Sequence, residues 1–192
     1  MLILASASAI RTKLLSDAGV EHQVLPASID EASAQAGSAH PAAVAEQLAK
    51  AKAVCISNQR PGDWVIGSDS VVSVDGRLFS KPRGRDEAAE HLRFFSGRTM
   101  RLTSAVALAT AGRTDWSHTD AASLQVRELS SAFIDSYLDR EWPEVGYCVG
   151  VFRMEGPGVQ LFDHVEGSHF TILGMPLLPV LAALRELGEL PR

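Results

Sequence analysis

The 192-residue sequence has only two cysteines, Cys55 and Cys148, and they form neither a C-x-x-C pair nor a zinc-type spacing. A disulfide scaffold and a structural zinc site are thereby excluded, and both residues read as reduced thiols of a cytosolic protein. No excess of basic charge is present; the formal net charge is −5. That speaks against a non-specific nucleic-acid binder, while a locally basic pocket stays open. No apolar run approaches the roughly 18 residues of a membrane span. The run at 2–5 is too short, and lacks the basic lead, for a signal peptide. G-x-S-x-G, Walker and H-E-x-x-H patterns are missing too, which leaves a serine hydrolase, a P-loop enzyme and a zincin unsupported. The six histidines do not cluster; His164 and His169 stand five apart, which is not a helix-face ligand spacing.

What is present is an ordinary globular composition, with 46% hydrophobic residues, enough to bury a core. The length suits one domain, 1–192, or two small lobes sharing a sheet. The pattern predicts a strand at 2–5 and a helix over 8–18 with Ile10, Leu14 and Leu15 on one face, stopped by Gly19. A strand within 22–27 follows, then a small, polar loop over 28–40. Pro41 opens a helix to about Ser57, with Val44, Leu48, Ala51 and Cys55 at helical spacing. Residues 64–82 read as a strand, a break at Gly67–Ser70, a second strand and a turn at Asp75–Gly76. A helix over about 85–96 ends at Gly97, two long strands surround the turn at Ala111–Arg113, and a helix covers 130–140. The last helix, about 176–187, starts at Pro176. Hairpins mixed with alternating strands and helices predict an α/β fold with a mixed sheet and flanking helices.

Several short stretches carry chemistry. In "LILASASAIR" a strand runs straight into Ser6, Ser8 and Arg11 at a helix start. Unpaired N–H groups and the macrodipole make such a helix end a place for a phosphate, and hydroxyls and a guanidinium strengthen it. The competing reading is that a serine caps the helix and Arg11 lies solvated. In "GSDSVV", Asp69 at the end of an apolar strand is costly to bury unless it binds something. Such a carboxylate holds a metal, acts as a base, or caps a turn. Lys52 in "QLAKAKAV" and Lys81 in "SKP" sit at element junctions; most lysines are simply solvated. Asp30 and Glu31 form a carboxylate pair in a loop, and "EGPG" at 155–158 sets Glu155 beside glycines that allow close backbone approach.

Taken in order, "LILASASAIR", "IDE", "LAKAKA", "IGSDSVVSVDG", "SKP", "SGRT", "EGPGVQLFDHVEG" and "LGMPL" resemble the Maf family of septum-formation-type nucleotide pyrophosphatases over nearly the whole chain. The resemblance implies a twisted mixed sheet in two lobes around a deep cleft, as in inosine-triphosphatase-like folds. It also implies hydrolysis of a nucleoside triphosphate to monophosphate and diphosphate with a divalent metal, Mg²⁺ or Mn²⁺, in a house-cleaning role in the cytoplasm. Carried over residue by residue, Asp69 matches the catalytic aspartate, and Lys52 and Lys81 match catalytic cleft cations. Ser6, Ser8 and Arg11 match the phosphate motif, and Glu31 joins Asp69 as a metal ligand. Ile10, Ser70 and Glu155 fall at positions that bear on the base.

Ala9 stands where the family pattern has proline. "CVGVFRMEG" is similar to the 7-methyl-GTP branch, whereas Ile10 and Ser70 replace that branch's tryptophan and glutamine. The resemblance thus bears more firmly on the reaction than on the base. The partner it implies is a nucleoside triphosphate, without nucleic acid or membrane, and a homodimer is open. Two rivals remain. A sugar-type nucleotidyltransferase would need glycines where Ser6 and Ser8 stand, and a non-catalytic nucleotide-binding regulator of cell division could use the same residues without turnover.

Overall fold

The computed structural model describes residues 1–31 and 40–191. Its first strand, β1 (Leu2–Leu4), is buried at every position and pairs in parallel on both sides. Its partners are β2 (Gln23–Val24) and the long β3 (Trp64–Val74), with Ile3 opposite Gln23 and Val65. A continuous apolar run suits a strand covered on both faces. Helix α1 (Ala9–Asp17) connects β1 to β2 and buries Leu14 and Leu15; Ile10 is half-buried. Gly19 ends it at φ +72°, its N–H bonding the Ser16 carbonyl.

Helix α2 (Pro41–Gln59) begins with proline in its first turn, where the missing N–H costs nothing. It buries Val44, Ala45, Leu48, Ala49, Ala53 and Ile56. Ala51 and Cys55, expected on the buried face, are half-buried, because the strand-facing side of α2 is made of small residues four apart. The loop expected over 28–40 falls mainly on 32–39, outside the described residues.

The break expected at Gly67–Ser70 does not exist. β3 runs unbroken over eleven residues, nearly all buried. Glycine and serines are tolerated there because each one meets a specific neighbour, as described below. Asp75 (φ 50°) and Gly76 (φ 76°) then make a two-residue hairpin turn into β4 (Arg77–Phe79), with Val74 opposite Arg77. Helix α3 (Arg85–Phe95) carries Asp86 and Glu87 in its first turn and Arg93 in its last, matching the macrodipole. Strands β5 (Thr99–Thr110) and β6 (Arg113–Val126) surround the Ala111–Gly112 turn.

Helix α4 (Ser131–Glu141) is capped by the Ser130 hydroxyl, which accepts from the Phe133 N–H. Two 3₁₀ turns, Glu144–Tyr147 and Pro157–Leu161, precede β7 (Phe162–Glu166). The short α5 (His169–Ile172), not anticipated from the sequence, and α6 (Leu177–Glu186) follow. Pro176 precedes the first turn of α6 rather than opening it.

The seven strands found among the described residues form one mixed sheet in the order β2-β1-β3-β5-β6-β7, with β4 paired to β3. Two compact units are built from these elements. One holds Met1–Ser70, Thr103–Asp120 and Ser168–Arg192; the other holds Val71–Leu102 and Ala121–Gly167. The core of the first gathers Leu4, Leu15, Ile66, Leu108, Val180 and Leu184. In the second, Phe79 stands edge-on to Phe95 at 4.7 Å between centroids. Among the described residues no helix is long and apolar enough to cross a membrane.

Candidate active site

Residues 67–70 lie in the first unit and alternate across β3. Gly67 and Asp69 face α2. A Cβ on Gly67 would stand 2.6 Å from the Ala53 nitrogen and 2.9 Å from the Ala53 Cβ. Glycine on the strand and the alanine row Ala45, Ala49, Ala53 on the helix therefore let the two backbones approach closely. That approach brings the Lys52 ammonium to 2.5 Å from Asp69 Oδ1 and 2.7 Å from Glu31 Oε1. The Lys52 and Asp69 side chains are only 13% and 12% exposed, while Glu31 is 47% exposed. Burying the aspartate alone would be costly; the ammonium compensates it, and the second carboxylate leaves the cluster one negative charge in excess.

Ser68 and Ser70 face the other way: the Ser68 hydroxyl lies 2.9 and 3.0 Å from the Ala105 and Gly174 carbonyls, and the Ser70 hydroxyl meets Arg11 of α1. Arg11 donates from Nε to the Gly174 carbonyl (2.9 Å) and from Nη1 to the Ser68 carbonyl (2.9 Å) and Ser6 Oγ (3.3 Å). Its Nη2 donates to Ser70 Oγ at 3.0 Å. The solvated Arg11 of the competing sequence reading is thus corrected: a guanidinium at the first turn of α1 is folded back on the strand ends. Gly174 is required in this arrangement. Its φ is +102°, and a Cβ would stand 3.3 Å from Arg11 Nε.

The capping reading is corrected as well. Ser8 occupies the position before α1, yet its hydroxyl bonds none of the first-turn N–H groups. Ser6 Oγ instead accepts from the Ser8 N–H at 3.2 Å. The first turn of α1 therefore keeps N–H groups that have no intrahelical acceptor, next to a hydroxyl and a guanidinium.

Sequence reasoning did not single out Ser68, Ser104, Thr171 or Gly174. Ser104 is fully buried in the apolar stretch of β5; a lone hydroxyl in "SAVALA" was the only available signal. Its Oγ lies 2.7 Å from Ser70 Oγ and donates to the Thr171 carbonyl at 2.8 Å.

Lys81 and Glu155 belong to the second unit, and both are exposed. Near Glu155 the chain turns through Gly150 (φ 83°) and Val151 (φ 58°), an uncommon conformation for a β-branched residue. Tyr137 holds that turn by donating to the Val151 carbonyl at 3.0 Å, and Arg153 pairs with the buried Glu141 at 2.9 Å. The Cys148 thiol pKa is pushed up by burial first and then by the Glu155 charge, against the pull of Arg153 and Lys81.

For a metal, no cluster of three or more His, Cys, Asp or Glu side chains occurs among the described residues. The oxygen pair of Asp69 and Glu31 around Lys52 is nonetheless a fitting donor set for a hard cation that completes its shell with water and phosphate oxygens.

A family profile described as Maf-like protein matches residues 1–187. A protein of Nitrobacter hamburgensis named nucleoside triphosphate pyrophosphatase is 48% identical, over 98% of this chain and 95% of that one. A Rhizobium meliloti protein named 7-methyl-GTP pyrophosphatase is 45% identical, over 99% of this chain and 98% of that one. A Brucella suis protein with the same name is 44% identical, over 96% and 94%.

Proposed function

The chain belongs to the Maf-like family, and from that premise we propose that it hydrolyses a nucleoside triphosphate between the α and β phosphates. Water attacks the α-phosphorus, the bond to the bridging oxygen breaks, and monophosphate and diphosphate leave. The observation that carries this reading is the buried Asp69 bound to Lys52, with Glu31 beyond it, on a strand whose next residue bonds Arg11.

In this reading Asp69 accepts the proton of the attacking water. Arg11, Lys52 and Lys81 offset the charge of the triphosphate, and Ser6, Ser8 and the first-turn N–H groups of α1 bind its oxygens. The unused capping capacity of the Ser8 hydroxyl supports that role. Asp69 and Glu31 would hold Mg²⁺ or Mn²⁺, which polarises the α-phosphate when bound. The enzyme works on free nucleotides of the cytoplasm.

The base is guanine-type, 7-methyl-GTP included. The Glu155 carboxylate only accepts hydrogen bonds, and so favours an edge that presents an N–H and an amine. Relatives carrying that substrate in their names support the choice.

The test is purified protein with Mg²⁺ or Mn²⁺ and a panel of 7-methyl-GTP, GTP, dTTP and UTP, with the products separated. Monophosphate plus diphosphate is expected. Nucleoside diphosphate plus orthophosphate would overturn the cleavage site, and a preference for dTTP or UTP would overturn the base assignment alone.

A further inference from the structure

We propose that Ser104 is a positioning residue for Arg11, acting through Ser70, whose hydroxyl serves the phosphate side as an acceptor. The inference rests on the reading of Arg11 as a phosphate ligand.

Hydrogen counting sets the direction of the chain. Ser104 Oγ has one hydrogen, and at 2.8 Å from the Thr171 carbonyl, a group that can only accept, that hydrogen is committed. The 2.7 Å contact between the two hydroxyls is then donated by Ser70, whose other acceptor, the Gly174 carbonyl, lies much farther off at 3.4 Å. With its own hydrogen spent on Ser104, Ser70 presents lone pairs to Arg11, whose Nη2 donates to it at 3.0 Å.

Every donor in the series points away from the cation: Arg11 to Ser70, Ser70 to Ser104, Ser104 to the Thr171 carbonyl. A series oriented in one sense polarises along its length and strengthens each member. Its far end is fixed twice. Thr171 is fully buried, and its Oγ1 donates to Asp120 Oδ2 at 2.6 Å. The Thr171 carbonyl also accepts from the Gly174 N–H at 3.0 Å, and the Gly174 carbonyl is the acceptor for Arg11 Nε at 2.9 Å. The guanidinium is thus held at two edges by one loop, directly at Nε and through two serines at Nη2. A Ser70 hydroxyl committed in this way has no hydrogen left to donate and can meet a nucleotide only as an acceptor.

The experiment compares Ser104→Ala and Ser70→Ala with the parent on 7-methyl-GTP, GTP, dTTP and UTP, with inorganic triphosphate as a competitive inhibitor that has no base. Each substitution should raise KM about two- to tenfold, the scale of one hydrogen bond. The rise should be the same factor for every nucleotide, with kcat changed less and the triphosphate inhibition constant rising in parallel. In an Arg11→Ala background neither substitution should add anything.

A change in base selectivity with triphosphate inhibition intact would overturn the proposal and make Ser70 a base-reading residue. Unchanged KM in both serine variants, with Arg11→Ala strongly impaired, would overturn the relay alone. Unchanged triphosphate inhibition in Arg11→Ala would overturn the phosphate assignment and the relay with it. Should the buried Ser104→Ala fail to fold, the half-buried Ser70→Ala carries the same test.

Discussion

The two faces of residues 67–70 solve opposite problems with adjacent side chains. On the Asp69 face the partners are charged side chains, Lys52 and Glu31, and the outer member is about half exposed. On the Ser68 and Ser70 face the partners of Arg11 include two main-chain carbonyls, of Gly174 and Ser68, which cannot leave. On the proposed reading, the group that exchanges protons or cations is surrounded by partners able to let go, whereas the group that holds a fixed charge is tied to backbone. Rate should therefore depend on the first face and affinity on the second.

The largest effect should come from breaking the first face. Asp69→Asn keeps size and shape but removes the charge, so kcat should fall on the order of 100-fold or more, the scale of a lost general base. KM should change far less, because Arg11 lies on the other face. Lys52 keeps Glu31 at 2.7 Å, so the fold should persist. Steady-state kinetics with diphosphate detection checks this, and near-parent turnover would remove Asp69 from the chemistry. Adding excess Mn²⁺ sharpens it: activity restored by metal would make Asp69 a ligand first and a base second.

Breaking the second face should act on binding and stability together. Arg11→Ala should lower kcat/KM at least about tenfold, as one charge-assisted contact is worth roughly 1.5–3 kcal/mol. It also takes the Arg11 donors from the Ser68 and Gly174 carbonyls, of which Gly174 keeps the Ser68 hydroxyl at 3.0 Å, and this should cost about 1–3 kcal/mol of stability. Arg11→Lys, lacking the planar fork, should recover part of the affinity and little of the stability. A thermal melt equal to the parent's would show that the backbone ties hold nothing.

These two faces were only partly legible beforehand. Helix and strand positions followed from apolar periodicity, Gly19 and the Asp75–Gly76 turn from residues that tolerate positive φ, and the turn at Ala111–Arg113 from the glycine within it. The strand over 64–74 was misread because glycine and serine are poor strand formers, and propensity says nothing of a helix backbone pressed against Gly67. Charged residues could be picked out one by one, since burying charge demands a partner. Which acid would meet which cation depended on the α2 to β3 distance, which no local pattern encodes. Ser104 and Thr171 were invisible for a similar reason: a buried hydroxyl becomes informative only when its acceptor, far along the chain, is known.

A residue on neither face should move selectivity alone. Glu155→Gln offers both a donor and an acceptor in place of a carboxylate, and should weaken the preference for a guanine-type base over dTTP and UTP. The expected range is a few-fold to about 100-fold, the scale of one hydrogen-bonded group. Ratios of kcat/KM across the panel measure it. A parallel loss on all four nucleotides would return Glu155 to a general role.

The smallest effect should leave both faces untouched and appear only as pH-dependent stability. His91 on α3 is buried against Phe79, edge-on at 5.1 Å between centroids, and its Nδ1 has no hydrogen-bond partner among the described residues. Burial holds its pKa below the usual 6.5. The Arg77 charge lowers it further, and Glu87 and Glu90 only partly oppose this. The unfolded chain therefore takes up a proton near 6.5 while the folded chain stays neutral to lower pH. The stability from burying a neutral ring is complete above that value and is lost as pH falls from 6.5 through the folded pKa. Glu46 and Glu87, whose pKa values lie below the usual 4.5, act only at still lower pH. Thermal midpoints at about pH 7.5 and about 5.5, bracketing the histidine range, should therefore drop for the parent. They should drop less for His91→Leu, which cannot titrate. Asp69→Asn and Arg11→Ala should keep the parent's slope, since neither face contains His91. Parallel pH curves for the parent and His91→Leu would place the titration elsewhere.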